Sequence, residues 1–200
     1  MPRVCPGGRC SGGRTTQVSP LAAAGGANAG LIRFSSEDVD RAIKEWGFNC
    51  GPGALCAVLS LTPDELRPFL GDFEKKGYTN PTLMLETLSR CGARYERVYR
   101  GDVAVYFPSG IPLLDLAVMR IQWSGRWTRP GVPMRVRYRH THWVAVRKKS
   151  NEVFDVNASR WMPWAEWAHE LVPWLIGVAV IEGADGGWWP THAYEVEVAR

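Results

Sequence analysis

The sequence predicts an α+β fold, and three observations carry that prediction. Capped, amphipathic segments fill the stretch from Ser36 to Cys91. Short runs rich in β-branched and aromatic residues begin after Gly92. The alternation of apolar and polar residues then continues almost to the C-terminus. Helices first and strands afterwards indicate an antiparallel sheet, because parallel strands would need a crossover helix between each pair.

Ser36, acidic residues behind it, and Val39, Ile43 and Trp46 describe a short amphipathic helix with an N-cap, broken at Gly47. Asn49-Cys50-Gly51-Pro52-Gly53 leads into the apolar run Ala54–Leu59, a buried helix starting at or near Cys50 with Pro52 in its first turn, where a missing N–H costs nothing. Thr62-Pro63-Asp64-Glu65 is a capping box, so another helix runs to about Leu70. Asn80-Pro81 opens a third, with Leu83, Met84, Leu88 and Cys91 on one face and Gly92 at its end. Strands are expected at Tyr95–Tyr99, Val103–Phe107 and Arg120–Trp123, while Ile111–Met119 reads as either helix or strand. Arg135–Arg147 alternates like a strand, and Glu152–Val156 follows it after a turn. Pro163–Val172 reads as a helix with Trp164, Trp167, Ala168 and Leu171 inward, Leu175–Ile181 as a buried strand and His192–Val198 as a last strand.

Composition narrows the function classes. Of 200 residues, 46 % are hydrophobic and 22 % charged, a globular balance that excludes wholesale disorder. No run approaches the roughly 20 apolar residues of a membrane-spanning helix, so no membrane span is expected. The net charge of +4 falls well short of the bias of a dedicated nucleic-acid binder, and nucleic acid is not an expected partner. Five cysteines, at 5, 10, 50, 56 and 91, form no disulfide framework for a chain of this length. With no apolar signal segment at the start, the expected location is the cytoplasm or a particle assembled inside the cell. Residues 1–30 are rich in Gly, Ala, Ser and Arg and read as a flexible arm, leaving 31–200 as the folded domain. Cys5 and Cys10 in that arm lack a second pair of ligands for a metal.

The chemistry-bearing residues form a thiol–imidazole–carboxylate set. A nucleophilic thiol needs a lowered pKa, a base, and a group to orient that base. Cys50 at a helix start meets orphan N–H groups that favour the thiolate. Gly51 and Gly53 are expected to leave room for a substrate carbonyl to approach the backbone, where the N–H of Cys50 helps hold an oxyanion. Cys56 and Cys91 read as structural. The base candidate is His142, in His140-Thr141-His142-Trp143-Val144. A two-residue hairpin loop at Lys148-Lys149 would set His142 opposite Asp155; a loop two residues longer would set it opposite Asn157, on the same face. Asp155 is the preferred orienter.

This order resembles the papain-like cysteine peptidases, and most closely the compact bacterial branch that includes the leader-cleaving peptidase domains of bacteriocin exporters. The matching pieces are Asn49-Cys50-Gly51-Pro52, His142-Trp143-Val144-Ala145-Val146 and Val153-Phe154-Asp155-Val156-Asn157, so the resemblance covers about residues 32–182. It implies a helical part carrying the cysteine packed on an antiparallel sheet carrying the histidine and aspartate. It also implies Cys50 as nucleophile, His142 as general base and acid, Asp155 as orienter, a thioester intermediate, and a peptide or protein substrate. The family's glutamine, a few residues before the cysteine, is missing from Lys44-Glu45-Trp46-Gly47-Phe48-Asn49; Lys44 and Asn49 are the candidate replacements as oxyanion donors. Transglutaminases and arylamine acetyltransferases use the same residue order, which leaves acyl transfer open.

Other readings fall to the bland alternative or stay as rivals. His140 and His142 on one strand face lack the third protein ligand that a catalytic zinc requires, unless Cys50 or His192 supplies it, and no metal is expected. No organic cofactor is expected either, since no phosphate-binding glycine loop or nucleotide fingerprint occurs. Arg126, Arg129, Arg135, Arg137 and Arg139 read as a solvated basic face. Trp188-Trp189, after Gly186-Gly187, reads as a loop with an exposed aromatic pair, a contact for substrate or partner. With the missing glutamine and the N-terminal arm, it motivates the rival reading of a catalytically idle module in a phage particle or other assembly.

Overall fold

The computed structural model describes residues 34–47, 50–100, 116–138, 140–147, 149–178 and 182–198. The arm, Asn49, Arg139, Lys148 and the strand expected at Val103–Phe107 lie outside them. The first half is helical: α1 (Ser36–Trp46), α2 (Cys50–Leu59), α3 (Pro63–Leu66) with a 3₁₀ turn at Arg67–Phe69, α4 (Phe73–Lys76) and α5 (Pro81–Arg90). Then come β1 (Arg94–Arg100), β2 (Ala117–Gly125), α6 (Met134–Arg137), β3 (Thr141–Arg147), β4 (Glu152–Asp155) and β5 (Arg160–Pro163). The chain continues into α7 (Trp164–Glu166), a π turn (Trp167–Leu171), α8 (Val172–Val178) and the long β6 (Ala184–Glu197).

Local signals set the helix starts. Ser35, rather than Ser36, caps α1, in a capping box with Asp38. Thr62 and Glu65 form the box that opens α3, and Pro63 takes the first helical position. Asn80 Oδ1 accepts from the Leu83 N–H to cap α5, 2.8 Å away.

Among the described residues the strands form one sheet in the order β1-β6-β2-β3-β4-β5, with every pair antiparallel. The protein is thus of the mixed helix and antiparallel-sheet class. Alternate residues feed two apolar layers. Val118, Trp143, Ala145, Phe154, Val156, Tyr194 and Val196 face α2 and the other early helices, meeting Ala54, Leu55, Val58 and Leu88. Met119, Ile121, Trp123, Val144, Val146 and Val153 face the C-terminal helix, meeting Trp167, Leu171, Val172 and Leu175. The sheet is therefore covered on both faces.

That second layer overturns three expectations. The segment from Leu175 is not a strand: Val172–Val178 is helical, and Trp167, Leu171 and Leu175 recur at the helical interval of four on the buried side. A short apolar run is equally compatible with a buried strand or a buried helix, and the uncovered sheet face selects the helix. The preceding π turn meets Pro173, whose ring and missing N–H do not suit a regular i→i−4 turn. Trp188 and Trp189 are not a loop. They lie on β6, where neighbouring side chains point to opposite faces. Trp188 packs on Trp164 and Trp167, with ring centroids 6.0 and 5.1 Å away, and Trp189 is buried. Pro190 falls at a register shift against Arg120 and Ile121, which accommodates it in the sheet.

The third correction concerns Arg135–Arg147. Arg135 and Arg137 sit in the helical turn α6, entered from Pro133, and β3 begins only at Thr141. His140, with φ at 54°, stands at the bend before β3, so it does not share a strand face with His142. Arg135 and Arg137 therefore do not alternate along a strand. No helix among the described residues is long and apolar enough to cross a membrane.

Candidate active site

The site forms where the first turn of α2 reaches the start of β3. Cys50 is the first residue of α2 and is 2 % exposed; His142 and Asp155 are fully buried. His142 and Asp155 lie on the sheet face that carries Val144 and Val153, next to the C-terminal helix. Cys50 belongs to the opposite layer. The three residues thus join both layers of the core.

His142 Nε2 stands 3.0 Å from Asp155 Oδ2. The carboxylate only accepts, so the imidazole proton is held on Nε2 and Nδ1 is left as the basic nitrogen of the neutral ring. Nδ1 is buried and meets no nitrogen or oxygen partner among the described residues. Besides Asp155, Cys50 is the neighbour that favours the charged ring. Burial opposes a charged imidazole, but Asp155 and Cys50 outweigh it and raise the His142 pKa to about 10. Burial likewise opposes ionisation of Asp155, yet the His142 charge and the hydrogen bonds it accepts hold its pKa below the ordinary carboxylate value.

The hairpin that brings these residues together differs from the expected one. Arg147 pairs with Glu152 and Ala145 with Phe154, so residues 148–151 form a four-residue loop. Continuing that register sets Asn157, not Asp155, across from His142. The ladder stops at Phe154, however, and the turn begun by the Ala158 N–H on Asp155 O swings the chain away. Asp155 reaches His142 diagonally along the same face, and Asn157 supports it. The Asn157 N–H and Nδ2 donate to Asp155 Oδ1 at 2.9 and 3.0 Å, and Nδ2 lies 3.5 Å from His142 Nε2.

Trp167 is a functional residue that sequence reasoning treated as core alone. Its Nε1 donates to Asp155 Oδ2 at 2.9 Å, from the π turn. Asp155 therefore has two donors on each oxygen, the condition for keeping a carboxylate charged inside a protein. The available signal was an indole at a helix position facing a strand that ends in a buried acid. Trp167→Phe keeps most of the ring volume and removes the donor. It is expected to lower stability by about 1.5–3 kcal/mol, the worth of a hydrogen bond to a charged group, read by urea unfolding followed by circular dichroism.

The glycines of the α2 start do not keep open space around the thiol. A Cβ on Gly51 would lie 2.2 Å from Thr79 Oγ1, and one on Gly53 would lie 2.9 Å from Val156 Cγ2. They are small so that α2 can pack against the Thr79 loop and the end of β4. Lys44 is exposed in the last turn of α1 and is not among the groups that act on His142. Trp188 and Trp189 are built into the sheet, so neither forms the exposed aromatic pair expected of them. Cys56 is buried within α2, which pushes its thiol pKa far up, and burial raises that of Cys91 to about 11.

The lining of an open groove of about 560 Å³ includes none of Cys50, His142 and Asp155. Leu85, Glu86 and Arg90 of α5 form one wall, and Tyr95, Arg97 and Tyr194 form the other. Its Pro81-Thr82 end is two residues from Thr79. No group of three or more His, Cys, Asp or Glu side chains suited to hold a metal occurs among the described residues. No family model, curated protein or solved structure matches the chain.

Proposed function

We propose that this chain is a papain-like cysteine peptidase or related amide hydrolase, acting through Cys50, His142 and Asp155. One observation carries the reading: His142 is held by a fully hydrogen-bonded buried carboxylate at Nε2 while the Cys50 thiol acts on the same ring. That arrangement suits the transfer of the thiol proton to imidazole and attack of sulfur on an amide carbonyl. The C–S bond forms as the carbonyl electron pair moves to oxygen. Return of the proton from His142 to the leaving amine then lets the C–N bond break and leaves a thioester, which water hydrolyses. On this reading an extended peptide would lie in the groove walled by Tyr95, Arg97 and Leu85.

A second reading has its own support. With Cys50 at 2 % and both partners at 0 % exposure, substrate access requires movement, and the same scaffold serves equally as a closed interaction module. The pH dependence of iodoacetamide labelling, resolved by peptide mass spectrometry, separates the two. The hydrolase reading expects Cys50 to label readily below pH 7, to lose that advantage in His142→Ala, and to outpace Cys56 and Cys91, whose thiols burial keeps protonated. Labelling of Cys50 no faster than an ordinary thiol in both proteins would leave the module reading in its place.

A further inference from the structure

The hydrolase reading leaves one chemical need unmet. An acyl-transfer site requires donors aimed at the oxygen that becomes negative, and the glutamine expected before the cysteine is absent. Lys44, one candidate replacement, stays exposed on α1.

Thr79 has the properties such a donor needs. It is 5 % exposed, and its hydroxyl is buried with no hydrogen-bond partner among the described residues. A buried hydroxyl left unpaired is destabilising, so its retention calls for a reason. The side chain lies against the first turn of α2: a Cβ on Gly51, the residue after Cys50, would stand 2.2 Å from its Oγ1. The space a side chain would fill at position 51 is thus taken by the Thr79 side chain, with the hydroxyl its nearest atom. The backbone of Thr79 is fixed independently, because Trp143 Nε1 donates to Thr79 O at 2.8 Å. Trp143 follows His142, so the hydroxyl is pinned between the neighbour of the nucleophile and the neighbour of the base.

We propose that the Thr79 hydroxyl is an oxyanion donor of the Cys50 site, standing in for the missing glutamine. The proposal rests on the hydrolase reading above. When sulfur adds to a carbonyl, the electron pair released onto oxygen accepts the Thr79 O–H, and that bond is strongest in the tetrahedral state. In the resting protein the hydroxyl has no partner among the described residues, so its stabilisation is reserved for the reaction.

Two reactions of Cys50 separate this role from thiol activation. Acylation by p-nitrophenyl acetate passes through a tetrahedral oxyanion: the S–C bond forms, the carbonyl pair goes to oxygen, and its return expels p-nitrophenolate. Alkylation by iodoacetamide displaces iodide at a saturated carbon and forms no oxyanion. In Thr79→Val the p-nitrophenolate burst is expected to slow by about 10²–10³, the usual cost of one such donor, with the alkylation rate unchanged. Thr79→Ser should keep the burst within a few-fold of the parent. Because the lost hydroxyl has no partner among the described residues, Thr79→Val should unfold at the same urea concentration or a higher one. The donor assignment is overturned if both reactions of Thr79→Val slow together, if neither slows, or if Thr79→Ser behaves as Thr79→Val. Slow alkylation of Cys50 in the parent protein would instead overturn the hydrolase reading itself.

Discussion

Asp155→Ala is expected to destabilise the protein by about 3–5 kcal/mol at pH 6, the cost of removing one partner from a buried ion pair. His142 Nε2, Trp167 Nε1, and the N–H and Nδ2 of Asn157 would all lose their acceptor at once. The pH dependence follows from the two shifts. Asp155 has a lowered pKa, so its contribution is present above its ordinary value of 3.8 and is lost as pH falls through the folded value. His142 has a raised pKa, so its contribution is complete below 6.5 and is lost as pH rises toward about 10. The stability gap between parent and Asp155→Ala should therefore form a plateau between about pH 4 and 6.5 and shrink on the alkaline side. Urea unfolding at pH 5, 6, 8 and 9 measures it, and a gap that widens from pH 6 to 9 would contradict the ion pair. Asp155→Asn keeps the shape but no longer fixes the proton on Nε2. On the proposed hydrolase reading, a comparable carboxylate-to-amide change in a triad costs about 10⁴ in turnover.

Gly51→Ala is expected to destabilise by about 1–3 kcal/mol through overpacking, although alanine is by about 0.5–1 kcal/mol the better residue inside a helix. The new Cβ would stand 2.2 Å from Thr79 Oγ1 and 2.5 Å from Thr79 Cβ. Thr79 cannot retreat freely, because its carbonyl holds the Trp143 indole. The strain falls on the first turn of α2 and so on Cys50, and alkylation of Cys50 should slow as well. Thr79→Gly in the Gly51→Ala background removes the clashing atoms, and the double variant should recover much of the loss. Additive effects of the two changes, measured by urea unfolding, would show that the contact is not what makes Gly51 necessary.

The legible part of this protein is the part written in short-range chemistry. Thr62-Pro63-Asp64-Glu65 and Asn80-Pro81 state their helix starts because a cap and a proline act within one turn. The alternation around Trp143–Val146 and Val153–Phe154 states two strands for the same reason, since side-chain direction depends only on the residue before and after. That was enough to single out Cys50, His142 and Asp155. It did not extend to the register between β3 and β4, which depends on a four-residue loop. Continuing that register would set Asn157 across from His142, and Asp155 meets the ring through the turn that follows β4.

Other features needed the packed molecule. Leu175 and its neighbours carry no local mark that chooses helix over strand; the exposed face of the sheet made the choice by requiring a cover. Trp188 and Trp189 read as an exposed pair, but a strand sends neighbours to opposite faces, so Trp188 packs on Trp164 and Trp167 while Trp189 is buried apart from it. Gly51 and Gly53 read as open space, whereas Thr79 and Val156 fill it. Trp167 and Thr79 have no sequence relation to the residues they serve: one lies 12 positions from Asp155, and the other reaches the start of α2 from the loop before α5. By itself the sequence determined the caps of α3 and α5, the side-chain alternation of β3 and β4 and the three reactive residue types, because those rest on neighbours in the chain. Tertiary structure alone decided the covering layers, the register and the groups that complete the site, because burial and hydrogen-bond satisfaction depend on segments that meet only after folding.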